Sequence, residues 1–358
     1  TRRVGVAMVV HTQTFRTEVP IQPLSHAPLL RHQDPLLLLG SCFSEGVGGR
    51  LQAAGHDALA NPLGTLFSPA SIRRATELLA DGPAASWDPP RLDERSGLWY
   101  TFDAGASITH PARTGCEVAM AKALAAGHSQ LRRSSCLFVT LGSAWGYAHD
   151  GRVVANCHKQ PRAQFERALC GVPECAEELR RCVHAARAVG GEGMRVVLTV
   201  SPVRHWREGA VESSRSKAHL LAAAHEVAGG VAGVDYFPAY ELLMDELRDY
   251  RWYAEDMLHP SPAAVDFIFD RLLTACFSAA DAPLRAEVGK LRRAAAHRPL
   301  HPDGDGARTF AAAQLAQAAE LVQRHPHLEA PLAETVAHFR AIGDAWTDEG
   351  QIPRETEG

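Results

Sequence analysis

The chain lacks the features that mark several large classes of protein. No C-x-x-C pair occurs among its eight cysteines, and no block of Lys and Arg is long enough to form a basic patch. The first absence argues against a zinc knuckle or a disulfide-dense secreted scaffold, and it predicts free thiols in a reducing compartment. The second absence, with a net charge of −4 and a pI near 6.5, argues against a nucleic-acid surface.

Long apolar runs are also missing. No stretch approaches the roughly 18 continuous apolar residues that a membrane span needs, and the apolar run near the N-terminus is too short for a secretory signal. The 18 histidines show no H-E-x-x-H or comparable ligand spacing, so we expect neither a metal nor another cofactor. The hydrophobic share of 46% is ordinary for a globular protein, and we therefore expect a cytoplasmic protein with its own core.

Short apolar runs alternate with longer amphipathic stretches along the chain. The predicted strands include Leu36–Leu39 (LLLL), Cys136–Leu141 (CLFVTL) and Arg195–Val200 (RVVLTV), and the stretches between them are long enough for helices. Such spacing indicates β-α-β crossovers, so we predict a three-layer α/β/α sandwich with a mostly parallel central sheet. We assign this domain to residues 15–280. Residues 281–358 carry no strand signal and are predicted to form a helical C-terminal extension.

Polar and glycine-containing segments follow the predicted strands. In chain order they are residues 40–42, 61–64, 142–143 and 201–205, together with 256–259 just before the last helix of the core. Ligands of an open parallel sheet bind beyond the carboxyl ends of its strands. We therefore expect these segments to meet at one rim of the sheet and to form the functional site there.

Cys42 is the predicted nucleophile of this rim. It follows a strand at the start of a helix, where unsatisfied N–H groups and the helix dipole favour an anion, so we expect a depressed thiol pKa. Asp256 and His259 lie three residues apart, so the carboxylate can bind one imidazole nitrogen and leave the other as a base. Each signal is weak alone, because a cysteine after a strand is usually a packing residue.

These residues resemble the motifs of the SGNH (GDSL-like) hydrolase superfamily, and more closely those of its GSCFA branch. LLLLGSCFSEGVGGRL is similar to the first block of the superfamily, a strand followed by G-D-S-x-[ST]-x-G. DMLHPS is similar to the last block, D-x-x-H before a helix. NPLGTLFSPASI, LGSAWGY, VVANCHKQP and TVSPVRH look like the remaining GSCFA landmarks. The resemblance spans roughly residues 15–273 and leaves the C-terminal stretch outside.

The resemblance implies an acyl-ester hydrolase or acyltransferase with Cys42 in the place of the family serine. The superfamily builds its oxyanion hole from the N–H of the nucleophile, a glycine N–H and an asparagine side chain, which implies Cys42 and Gly64 as two of the donors. LGSAWGY puts Ala144 where the asparagine belongs. Asn156 or His158 is therefore expected to supply the third donor, because losing one donor typically costs about 10²–10³ in rate.

The residues expected to contact the substrate are polar and lie at the same rim; they are Ser41, Ser44, His158, Lys159, Arg204 and His205. Their types suit an anionic or polar group. Trp145 and Tyr147 are candidates for a sugar-binding face as well as for core packing. A thioester on sulfur suits transfer as well as hydrolysis, so we expect a small-molecule or glycan acyl substrate, with neither nucleic acid nor membrane as a partner.

Other interpretations of the same residues stay open. A non-catalytic SGNH-like binding protein would account for the departures at Cys42 and Ala144, although a binder has little need of the Asp-x-x-His pair. Alternatively, Ser41 or Ser44 is the nucleophile and Cys42 is structural. A metal hydrolase is the least favoured class. Iodoacetamide labelling across pH separates a nucleophilic Cys42 from an inert one.

Overall fold

The computed structural model of the chain describes residues 18–25, 29–296 and 305–344. Its strands, in chain order, are β1 (Leu36–Gly40), β2 (Ala58–Ala60), β3 (Arg91–Asp93), β4 (Leu98–Tyr100), β5 (Cys136–Leu141), β6 (Trp145–His149), β7 (Arg152–Val153), β8 (Glu166–Leu169), β9 (Arg195–Val200) and β10 (Val234–Tyr236). Its helices are α1 (Cys42–Ala53), α2 (Pro69–Asp81), α3 (Arg113–Arg133), α4 (Val172–Gly190), α5 (Gly209–Gly230), α6 (Ala239–Glu241, continued by a π-helix over Leu242–Leu247), α7 (Pro262–Cys276), α8 (Ala282–Ala296), α9 (Asp305–Arg324) and α10 (Glu329–Asp344).

A parallel five-stranded sheet forms the centre, in the order β10-β9-β5-β1-β2. The predicted three-layer α/β/α sandwich with C-terminal helices is confirmed, since helices α2 to α5 pack on one face of the sheet and helices α1 and α7 pack on the other. Two small antiparallel sheets, β3-β4 and β7-β6-β8, lie outside it.

Strand β1 shows why the sheet is covered on both faces. Its leucines are at most 1% exposed. Leu37 and Leu39 pack with side chains of α2 to α5, whereas Leu36 and Leu38 pack with side chains of α1 and α7. Successive side chains of a strand point to opposite faces, so a strand buried on both needs a continuous apolar run. Each buried leucine contributes about 1.5–3 kcal/mol.

The helical spacing over residues 163–189 predicts one long helix, with a break at Pro173 as the alternative, and its first part is wrong. Residues Glu166–Leu169 form β8, which pairs with β6 (Trp145↔Leu169), and α4 begins only at Val172. Pro173 lies in the first turn of α4, where the ring suits the helix and its missing N–H costs no bond. Strand β8 depends on pairing with β6, a strand that we did not predict from the sequence.

The C-terminal helices α8, α9 and α10 have a hydrophobic cluster of their own, whose buried members include Val288, Leu321 and Phe339. The C-terminal helices that the sequence predicts after residue 280 are confirmed as α8, α9 and α10. The boundary at residue 280 stays a prediction. Residues 15–17, 26–28, 297–304 and 345–358 of the predicted ranges lie outside the described residues.

Three histidines lie where the C-terminal helices meet the α/β sandwich. His32 and His56 are each 2% exposed, and their rings stack 4.3 Å apart. The Nδ1 atom of His32 lies 2.9 Å from Nε2 of His327, and its Nε2 atom lies 2.9 Å from the Ala54 carbonyl oxygen. Burial lowers the pKa of His32 to about 4 and that of His56 to about 2, so both rings are neutral in the folded protein near pH 7.

We expect this cluster to destabilise the fold in mild acid. An unfolded histidine takes up a proton near its ordinary pKa of 6.5, whereas folded His32 and His56 do so only near pH 4 and pH 2. Stability is therefore complete above pH 6.5 and is lost as the pH falls towards 4. At pH 5 each ring costs about 2 kcal/mol of unfolding free energy. His56→Leu should therefore lose less stability between pH 7.5 and pH 5 than the wild type, measured by urea unfolding.

The exposed His184 on α4 provides the matched control. His184→Leu should keep the wild-type dependence of unfolding free energy on pH. The same dependence in His56→Leu and in the wild type would contradict the prediction.

Candidate functional site

Gly40 joins the end of β1 to the neighbouring strand β5. Its φ is +137°, and a Cβ atom there would lie 2.1 Å from the carbonyl oxygen of Thr140. Only glycine fits this backbone conformation and this close approach. The Ser41 N–H then donates to the same Thr140 carbonyl at 3.1 Å, which seats the first turn of α1 at the carboxyl edge of the sheet.

Cys42 is the first residue of α1 and is partly buried. Burial, reinforced by the Glu45 carboxylate, raises the thiol pKa above its ordinary value of 9.0. The expectation of a depressed pKa is therefore wrong, because desolvation of a thiolate outweighs the N–H groups at the start of the helix. The sulfur is protonated at neutral pH, so it needs a base to take its proton during an attack.

Ser41 and Ser44 are buried beside Cys42, at 1% and 0% exposure. The Ser41 Oγ caps α1 by accepting the Phe43 N–H at 3.3 Å. The Ser44 Oγ has no hydrogen-bond partner among the described residues. The prediction that these hydroxyls contact substrate conflicts with their burial, and so does the alternative of a serine nucleophile.

Asp256 and His259 form a hydrogen-bonded pair. The Oδ2 atom of Asp256 lies 2.6 Å from Nδ1 of His259, and its Oδ1 accepts the N–H groups of Leu258 (2.9 Å) and His259 (3.0 Å). The backbone N–H of His259, followed by that of Leu258 and the His259 ring, lowers the pKa of Asp256 to about 2. The carboxylate thus occupies one ring nitrogen and leaves Nε2 for another group.

The loop that carries this pair lies at the same edge of the sheet as Cys42. Arg50 of α1 donates to the carbonyl of Pro262, the first residue of α7, at 3.1 Å. Just past β9, the Arg204 N–H donates to the Leu258 carbonyl at 3.0 Å. The cysteine at the start of α1 and the histidine just before α7 are therefore brought to one rim, from stretches more than 200 residues apart.

The predicted oxyanion donors are placed differently. The Gly64 N–H donates to the Asn61 carbonyl at 2.8 Å, so the prediction that it serves the oxyanion conflicts with this bond. Ala144 is fully buried, and its N–H donates to the Ser216 hydroxyl at 2.7 Å. Asn156 lines a cleft and accepts the His158 N–H at 2.8 Å through Oδ1, which leaves its amide N–H₂ for other groups.

His158 has a structural position. Its Nε2 lies between the carbonyl oxygens of Thr101 (2.9 Å) and Ala104 (3.0 Å), and its ring stacks on Tyr100 at 4.6 Å. Burial lowers its pKa, so the ring stays neutral and donates one N–H to these carbonyls. The prediction that His158 binds substrate or replaces the asparagine conflicts with this arrangement, which instead ties two loops together.

A cleft of about 490 Å³ opens beside the carboxyl end of β5; its lining includes Ser143, Trp145, Tyr147, Asn156, Lys159, His205 and Arg207. A second cleft of about 320 Å³ shares Trp145, Tyr147 and Arg207 and adds Arg162, Arg167 and Glu212. The Arg167 guanidinium lies 3.7 Å from the centroid of the Trp145 ring. Cations thus outnumber carboxylates among the lining residues that the structure describes, and two of the predicted substrate residues, Lys159 and His205, lie among them.

Sequence reasoning missed Lys217 on α5. Its side chain is 3% exposed, and its Nζ donates to the carbonyls of Gly142 (2.8 Å) and Ser201 (2.7 Å), directly after β5 and β9. The only available signal was a lysine at a core-facing position of an amphipathic helix, a position where charged residues are rare.

Two further findings concern the described residues as a set. None of their helices is both long and apolar enough to cross a membrane. Within 18–25, 29–296 and 305–344, no group of His, Cys, Asp and Glu is arranged to hold a metal ion.

The fold and this rim define an α/β/α protein that carries a cysteine, a histidine and an aspartate at the carboxyl edge of a parallel sheet. The chain belongs to the GSCFA family, whose sequence profile matches residues 35–272. A second profile, the C-terminal domain of GSCFA domain proteins, matches residues 288–341, the part that the sequence resemblance had left outside. A search of curated proteins gave no match.

Proposed function

We propose that this protein is an acyl-ester hydrolase or acyltransferase of the SGNH type, with Cys42 as nucleophile, His259 as base and Asp256 as the group that orients the base. The observation that carries the proposal is the 2.6 Å hydrogen bond between Asp256 and His259, at the rim where Cys42 begins α1. A carboxylate on one imidazole nitrogen holds the tautomer in which the other nitrogen accepts a proton.

The proposed reaction has two stages. The Cys42 sulfur attacks the ester carbonyl while its proton moves to Nε2 of His259, and the carbonyl electron pair moves to the oxygen. Collapse of this intermediate breaks the C–O bond, and the imidazolium returns the proton to the departing alcohol. Water or another hydroxyl or amine, deprotonated by His259, then attacks the thioester carbonyl, and the C–S bond breaks. The imidazolium returns its proton to the Cys42 sulfur, which restores the thiol. The raised thiol pKa makes the base necessary in the first stage.

The acyl group must therefore reside on Cys42 during turnover. Acid quenching during reaction with p-nitrophenyl acetate, followed by peptide mass analysis, tests the proposal. An acetyl group on the peptide that contains Cys42 is the expected result.

The proposal extends to the organisation and location of the chain. We propose an SGNH-like domain over residues 15–280 and a helical extension over residues 281–358, supported by the separate hydrophobic cluster of α8 to α10. We also propose a cytoplasmic location, supported by the eight cysteines, all of which are free thiols.

The two clefts support an acyl substrate that carries negative charge. Lys159, Arg162 and Arg207 line them and form no ion pair with a described residue. Arg207→Gln should raise KM about tenfold for a p-nitrophenyl ester with a carboxylate on its acyl group, because it removes one charged hydrogen bond worth about 1.5 kcal/mol. The KM for uncharged p-nitrophenyl acetate should change little, and steady-state kinetics on both esters checks this.

Arg340→Gln, on the exposed face of α10, is the matched control and should leave both KM values unchanged. An equal rise in KM for the charged and the uncharged ester would show that Arg207 does not bind the carboxylate of the substrate.

A non-catalytic binding protein is the second candidate. The engaged Gly64 N–H and the missing side-chain donor at Ala144 favour it, because both weaken an oxyanion hole. It predicts ligand binding in the clefts with no acyl group on Cys42, so the trapping experiment separates the two candidates.

A further inference from the structure

A lysine ammonium is buried at the carboxyl edge of the sheet without a carboxylate partner. Lys217 reaches from α5 to the carbonyls of Gly142 and Ser201, and no described Asp or Glu pairs with it. Removing an ammonium from water costs several kcal/mol unless charge nearby compensates it. Neutral donors would tie the same two carbonyls together at a lower cost, so the positive charge itself calls for an explanation.

The nearby titratable groups indicate which charge this is. Cys42 and Arg204 act electrostatically on Lys217, the first raising and the second lowering its pKa. Lys217 in turn lowers the pKa of the Cys42 thiol, against the burial and the Glu45 carboxylate that raise it. Burial of the ammonium brings the Lys217 pKa down to about 7. Of the two charges that act on Lys217, Arg204 is always a cation, and Cys42 is the group that can become an anion.

We propose that Lys217 is a positioning residue that stabilises negative charge at Cys42 as the sulfur loses its proton. The inference rests on the nucleophilic role proposed for Cys42. A fixed cation in a poorly solvated site acts at a distance, because the local dielectric is low. The same cation would also stabilise the negative charge that forms on the substrate carbonyl oxygen next to the sulfur. Lys217 thus offsets the oxyanion donor that is missing at Ala144. Lys217 transfers no proton in this role.

Other charged or titratable groups at this edge of the sheet must stay constant in any test. Glu45 on α1 acts on Cys42, and Arg204 after β9 acts on Lys217. The ring centroid of Tyr240 on α6 lies 6.0 Å from the Lys217 Nζ, and the Asp256–His259 pair precedes α7. Substitution at Lys217 leaves all of these in place.

The rate of Cys42 alkylation by iodoacetamide, followed by peptide mass analysis from pH 6 to pH 10, tests the inference without any ester. Lys217→Gln keeps an N–H donor for the carbonyls but loses the charge. It should lower the alkylation rate at pH 7 about fivefold, and the difference from the wild type should fade as the pH rises above about 8, because Lys217 has then lost its proton in the wild type as well. Lys217→Met should do the same, and Lys217→Arg should restore most of the rate. Lys122→Gln, an exposed lysine on α3, is the matched control and should follow the wild type.

Thermal unfolding of each variant identifies those that fold, and Gln and Met give two independent neutral replacements. Wild-type alkylation profiles in folded Lys217→Gln or Lys217→Met would overturn the inference while leaving Cys42 as a nucleophile. A wild-type Cys42 that resists alkylation at every pH would overturn the nucleophile itself and this inference with it. The first result concerns Lys217 alone, so the two failures are distinguishable.

Discussion

Cys42→Ala should lower the hydrolysis of p-nitrophenyl acetate by about 10³-fold or more, because losing the nucleophile of a catalytic triad leaves only binding and oxyanion stabilisation. The loss should appear in kcat rather than in KM, since the alanine still permits substrate to bind. The acetyl group trapped in the wild type should disappear from the peptide that spans position 42. The neighbouring hydroxyls of Ser41 and Ser44 are buried and should not take over the reaction.

Two variants show whether the effect belongs to this sulfur. Cys157 also is partly buried and lines the larger cleft, so Cys157→Ala controls for the loss of a thiol near the substrate and should keep the wild-type rate. Cys42→Ser restores a nucleophile of higher pKa and should recover part of the activity lost in the alanine variant. Full activity of Cys42→Ala, with a loss in Ser41→Ala or Ser44→Ala, would move the nucleophile to serine.

His259→Ala should lower kcat/KM by about 10²–10⁴-fold, the range that a general base contributes. The expected loss is large because the Cys42 thiol pKa is raised, so that little thiolate exists at pH 7 without a base. Added imidazole should restore part of the rate, since the His259 side chain is about half exposed and leaves an open space when removed.

Asp256 should not contribute to the pH dependence of activity near neutral pH. The Asp256 carboxylate has a pKa of about 2 in the fold, so its stabilising hydrogen bonds are present above pH 4 and are lost only as the pH falls towards 2. A decline in activity between pH 8 and pH 5 therefore does not arise from Asp256.

His184→Ala on α4 is the control for His259→Ala, because it also removes an exposed imidazole. Wild-type kcat/KM in His259→Ala would exclude the proposed base.

Some of the site followed from the sequence because its signals are local. A D-x-x-H spacing lets a carboxylate reach the imidazole three residues on, and the 2.6 Å pair shows that contact. Gly40 was part of a strand end, and its φ of +137° needs glycine. Long-range contacts gave no such signal. The carbonyls that occupy His158 come from Thr101 and Ala104, more than 50 residues away, and so the ring looked available for substrate.

The sequence by itself determined the layers of this protein. LLLL, CLFVTL and RVVLTV are too uniformly apolar for strands that expose one face to solvent, and the GSCFA motifs follow these strands in order along the chain. Only the tertiary structure decided the electrostatics at the rim. Burial of the Cys42 sulfur reversed the direction expected for its pKa, and α5 brought the Lys217 ammonium to the ends of two strands. Desolvation depends on every group packed around an atom, and those groups come from distant parts of the chain.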